Sequence, residues 1–174
     1  MLRFLDHLEE WLIAFLMAAA TLIIFVAVLH RYAMGIDALQ PYLQHIHLSW
    51  AQELCIYMFV WMAKFGAAYG VRTGIHVGVD VLINRMSGRT RAKFIVFGLL
   101  AGAAFTATVG TLGANFVWEM AHTEQTSADL ELPMWMVYLA VPLGSYLMSF
   151  RFLQVTVAFI RTGELPKHDH THVE

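Results

Sequence analysis

Four stretches of this chain run for nineteen or more residues with at most two ionised side chains each, and nothing constrains its fold more. The first covers residues 11–29 and carries no charge; the second, 50–71, is interrupted by Glu53 and Lys64. The third, 94–118, is again uncharged, and the fourth, 133–160, contains Arg151 alone. At about 1.5 Å per residue each can cross a hydrocarbon core of roughly 30 Å, the longer two with tilt. Within lipid the backbone must satisfy its own polar groups, so these stretches are expected to be helices. The fold class is therefore all-α: an integral membrane protein with four transmembrane helices. Composition agrees, since only 14% of the 174 residues are charged, against about a quarter in soluble domains.

The charges outside the spans set the orientation. Arg3, Arg72, Arg85, Arg89, Arg91, Lys93, Arg161 and Lys167 fall on one side of the membrane, and Arg31 alone on the other. The positive-inside rule then puts both termini in the cytoplasm. Arg3 stands against Asp6, Glu9 and Glu10, so the N-terminal flank lacks the net positive charge of a secretion signal, and the first span is expected to be retained. We divide the chain into an N-terminal amphipathic lead-in, 1–10, a four-span domain, 11–161, and a polar cytoplasmic tail, 162–174.

Two segments have the pattern of interfacial amphipathic helices. Leu2, Leu5, Leu8 and Leu12 recur opposite Arg3, Asp6 and Glu9; in the second connection Ile75, Val79, Leu82, Ile83 and Met86 form an apolar face. Either segment serves as a helical lead-in to its span or as a docking surface. Ser49 and Gln52 have capping-box spacing and start the second span. Pro133 suits a first helical turn, and Pro142 should kink the last span. Gly66, Gly70, Gly74 and Gly78 recur every four residues, as do Gly98 and Gly102; such small faces let membrane helices approach closely.

Intramembrane charge is costly, so it is usually functional or paired. Glu53 and Lys64 lie on one helix face, about 16 Å apart along the axis, with Tyr57 between them and Trp61 nearby. Either this is a polar stripe turned to a partner protein, or the two groups reach for opposite interfaces by snorkelling. The same choice, snorkelling or pairing, stands for Arg151.

Several chemistries are set aside. None of the nine histidines is in the middle of a span, as a membrane haem would need, and the single cysteine, Cys55, builds neither a disulfide framework nor a thiolate metal site. His168, His170 and His172 with Asp169 form either a solvated tail or a weak metal-binding tract. No phosphate-binding loop, nucleophile elbow or H-E-x-x-H pattern occurs, so neither an enzyme nor a cofactor is expected. A net charge of −2 without a basic patch argues against nucleic acid. Four spans without interrupted helices in matching halves are too few for an alternating-access pathway, which points to an accessory subunit.

The second span carries a resemblance. Trp50-Ala51-Gln52-Glu53, Tyr57, Trp61, Gly66-Ala67-Ala68, Arg72, His76 and Asp80 resemble the pattern of the DctQ-type small subunit of tripartite ATP-independent periplasmic (TRAP) transporters. Ser127 to Leu130, Pro133, Trp135, Tyr138 and Pro142-Leu143-Gly144 look like that family's entry into its last span. Gln52 and Lys64 depart from the pattern, and residues 34–48 form a longer first outer loop.

The resemblance implies a small permease subunit in the bacterial inner membrane. It would scaffold a large permease subunit, to which a periplasmic solute-binding protein brings an organic anion such as a C4-dicarboxylate, with uptake driven by an ion gradient, usually Na⁺. The expected subunit interface is Glu53, Tyr57, Trp61, Lys64, Gly66 and Gly70. Arg72, His76 and Asp80, at four-residue spacing, would order the cytoplasmic helix. Glu119, Glu124, Asp129 and Glu131, in a connection without Lys or Arg, would meet the binding protein. The alternatives are a membrane anchor for a redox complex and a stand-alone small carrier.

Overall fold

A computed structural model describes residues 2–73 and 88–163, with side chains over 7–73 and 90–163. His76, Asp80, the apolar face from Ile75 to Met86 and the histidine tail lie outside the described residues. Helices α1 (Leu2–Ala33), α2 (Gln40–Leu43), α3 (Ser49–Thr73), α4 (Gly88–Ala121), α5 (Met134–Tyr138) and α6 (Ala140–Thr162) follow in order. Among the described residues there is no strand, only an isolated bridge between Thr126 and Pro133. Among the described residues, four segments are long and apolar enough to span a membrane: His7–Ala33, Ser49–Thr73, Thr90–Ala121 and Met134–Thr162.

Helices α1, α3 and α4 run beyond their apolar stretches at both ends, because backbone hydrogen bonding continues into the interface after hydropathy has fallen. α3 does begin at Ser49. The last span breaks at Leu139, where α5 ends and α6 has not begun. Pro142 explains the position: it offers no N–H to the carbonyl four residues back, at Tyr138, and its ring crowds that carbonyl. α1 is continuous from Leu2, so residues 2–10 extend the first span. Within the amphipathic pattern seen there, Leu8 is exposed and Glu9 is buried.

The chain forms two compact units, Met1–Ala63 with Val117–Ala140, and Lys64–Phe116 with Val141–Glu174. In the first, Ala20 and Ala51 are buried where α1 meets α3, and the Cys55 thiol donates to the Ala20 carbonyl at 3.3 Å. Cys55 thus acts as a small core residue. The outer surface of α1 is apolar: Phe15, Leu22 and Phe25 are exposed, and Trp11 and Tyr32 near its ends keep 75% and 76% of their surface free. An apolar face bounded by Trp and Tyr near its ends suits hydrocarbon flanked by headgroups.

The second unit has its core in Val71, Ile95, Leu99, Ala103, Phe152, Val155 and Phe159. Polar side chains point inward beside them. Ser145, Ser149 and Thr156 are buried on α6 while Leu153, Val157 and Ile160 are exposed. Ser149 donates to the Ala103 carbonyl at 2.9 Å, and Tyr146 donates to the Thr111 hydroxyl at 3.1 Å. Small polar groups packed into the helix contact, with further large apolar side chains turned outward, is an arrangement a helix pair adopts in lipid.

Candidate functional site

In the first unit, the connection between α4 and α5 folds back on itself. Ser127 N–H donates to the Leu132 carbonyl at 2.8 Å, Leu132 N–H returns to Ser127 Oγ at 3.1 Å, and Met134 N–H donates to Gln125 O at 3.0 Å. Glu131 takes a φ of 51°, a left-handed conformation that a non-glycine residue adopts only when its surroundings hold it there.

What holds this loop is Glu53, near the start of α3. One carboxylate oxygen accepts the N–H groups of Asp129 at 2.6 Å and Leu130 at 3.2 Å. The other accepts the phenol of Tyr57, one turn along the helix, and the Ser127 hydroxyl also hydrogen-bonds the carboxylate. A carboxylate receiving several donors has most of its lone pairs occupied, and such charge-assisted bonds are the strong ones. Glu53 and Tyr57 therefore act inside the chain, as a clasp on the connection. Ser127, only 5% exposed, belongs to the same cluster; from the sequence it stands out only within the resemblance, since a serine in a polar loop carries no signal of a partner 74 residues earlier.

The clasp presents the acidic residues outward. Glu119, Glu124, Asp129 and Glu131 all have exposed side chains. The nearby His122 bonds the Trp118 carbonyl through Nδ1 at 2.7 Å, closing the end of α4. Trp61, farther along α3, is half-buried.

The second unit receives Lys64, Gly66, Gly70 and Arg72. Lys64 is half-buried, and its ammonium makes no hydrogen bond or ion pair within the chain among the described residues. Its backbone passes close to α6: a Cβ built on Gly144 would lie 2.5 Å from Lys64 Cβ and 3.3 Å from its Cα. Close approaches occur also at Gly102 against the Phe152 ring, Gly110 against Tyr146 and Gly113 against Val141. By contrast, a Cβ on Gly66, Gly70 or Gly98 would meet nothing within 4 Å. Among the described residues, Gly66 and Gly70 of α3 are thus open, while the close contacts use others. Arg72 places its guanidinium carbon 5.7 Å from the Tyr69 ring centre, a cation–π geometry.

Arg151 is the largest fully buried side chain, and its Nη1 donates to Gln154 Oε1 at 2.8 Å. Its head is drawn inward, which is pairing and not snorkelling. A cation enclosed at this depth fixes its helix face, since any outward rotation would turn it into hydrocarbon.

Together these features define a multi-pass membrane protein whose polar groups bind its own helices and one connecting loop. The family model described as tripartite ATP-independent periplasmic transporters, DctQ component, matches residues 20–162. The chain belongs to that family, as a small permease component of a transporter. It is similar to the C4-dicarboxylate TRAP transporter small permease protein DctQ of Rhodobacter capsulatus, with 59% identity over 194 aligned residues that take in 100% of this chain and 86% of that protein. The protein of the same description from Vibrio cholerae serotype O1 is 32% identical over 188 residues, covering 95% of this chain and 76% of that one.

Proposed function

We propose that the chain braces the large permease subunit of a TRAP transporter in the bacterial inner membrane, with both termini in the cytoplasm. The transported solute is an organic anion of the C4-dicarboxylate class, delivered by a periplasmic binding protein. Uptake is driven by an ion gradient, Na⁺ by preference, with no chemical step on this chain. The supporting observation is the division of labour along α3. Glu53 and Tyr57 are hydrogen-bonded within the chain, whereas among the described residues Lys64 has no hydrogen-bonding or ionic partner and Gly66 and Gly70 leave open space. An ammonium without a partner among these residues, beside a face without side chains, suits the close approach of another membrane helix carrying an acceptor.

In this reading Trp61, Lys64, Gly66 and Gly70 meet the large subunit, while Glu53 and Tyr57 contribute indirectly by shaping the outer loop. Glu119, Glu124, Asp129 and Glu131 offer the binding protein a negative surface, and Arg72 with His76 and Asp80 orders the cytoplasmic helix. Co-expression with the large subunit tests the interface: Lys64→Leu should reduce co-purification and solute uptake together. Unchanged yield of the complex and unchanged uptake would remove the role given to Lys64.

A further inference from the structure

A cavity of about 600 Å³ lies in the first unit, under the connection between α1 and α3. Its walls change character along α1. Ile24, Ala27 and Val28 line the part that belongs to the apolar stretch, whereas His30 and Arg31, at the end of α1, line the part beyond it. The rest of the lining mixes the two characters, with Ile46 and Leu48 beside His47, Ser49 and Gln52. Along α1 the cavity therefore straddles the level where hydrocarbon gives way to headgroups.

Its polar end is built. His30 Nε2 bonds the Leu43 carbonyl at 3.3 Å, holding α2 over the end of α1. The Asp129 backbone, whose residue closes the rim, is tied to Glu53 at 2.6 Å. Arg31 is the only Lys or Arg in either outer connection, and among the described residues it has no hydrogen-bonding or ionic partner. An arginine fork at a headgroup boundary, above an apolar recess, matches a phosphodiester attached to an acyl glycerol.

We infer that this cavity is a phospholipid site, in which Arg31 holds the phosphodiester of one outer-leaflet lipid while the Ile24, Ala27 and Val28 wall receives the start of an acyl chain. Asp129 at the rim tolerates an ammonium on the headgroup and disfavours a second negative charge.

The test is native mass spectrometry of the delipidated full chain in detergent, after addition of equimolar phosphatidylethanolamine, phosphatidylglycerol or inorganic phosphate. The wild type should retain one molecule of either lipid and no phosphate. Arg31→Gln should lower lipid occupancy about tenfold, with Arg31→Lys between the two. Ala27→Trp, which fills the apolar wall and leaves Arg31 in place, should lower occupancy as well. Equal retention by wild type, Arg31→Gln and Ala27→Trp would mean general annular lipid and overturn the assignment. A phosphate adduct without lipid would make this a site for a free anion and overturn it equally.

Discussion

The carboxylate of Glu53 accepts the backbone N–H of Asp129 at 2.6 Å, joining the start of α3 to a loop 76 residues later. A charge that looks misplaced within a membrane span is thereby satisfied at the end of that span, and an acidic connection acquires a fixed shape. Glu53→Ala should leave the Asp129 and Leu130 amides to exchange about tenfold faster or more, with the change confined to the loop between α4 and α5. Hydrogen exchange of the detergent-solubilised chain measures this. Unchanged protection of those two amides would mean that the loop holds itself.

The approach of α6 to α3 at Gly144 sets a second expectation. Gly144→Ala puts a methyl group 2.5 Å from Lys64 Cβ and must push the helices apart; overpacking of this kind costs about 1–3 kcal/mol. Gly98→Ala, with nothing within 4 Å, should change stability by less than about 0.5 kcal/mol. Thermal unfolding of the two variants in one detergent compares them directly.

Arg151 is wholly enclosed, so shortening it leaves both a void and an unpaired Gln154 oxygen. Arg151→Ala should destabilise by about 2–5 kcal/mol. Arg151→Lys should be milder, since it keeps the charge while losing the planar fork. The order Arg, then Lys, then Ala in melting temperature is the expected result.

Orientation is testable with the protein's own single cysteine. Cys55 is buried, so a membrane-impermeant maleimide should leave the wild type unlabelled in intact cells. Glu124→Cys should label from outside, and Arg91→Cys only after the membrane is opened. Labelling of Arg91→Cys in intact cells would reverse the topology.

The parts of this fold legible from sequence are those governed by local chemistry. Apolar runs gave four spans, and Pro142 gave the break in the last of them because a missing N–H acts on the carbonyl four residues away. Helix ends were less legible, since α4 stays helical from Gly88 to Ala121 and hydropathy marks only its middle. Long-range relations left no local trace. Four-residue spacing pointed to Gly66, Gly70, Gly98 and Gly102, yet of these only Gly102 makes a close contact among the described residues, and the others fall at Gly110, Gly113 and Gly144, because the crossing point of two helices depends on both. Whether Arg151 turned inward or toward the interface was likewise undecidable from its depth alone. Its burial depends on which groups α6 brings around it.

Transport by reconstituted vesicles tests the central claim, that this chain supports a transporter and does not itself move solute. Vesicles holding this subunit, the large permease subunit and the binding protein should accumulate a labelled C4-dicarboxylate under an imposed Na⁺ gradient, and vesicles holding this subunit alone should accumulate none. Uptake by the subunit alone would contradict the account.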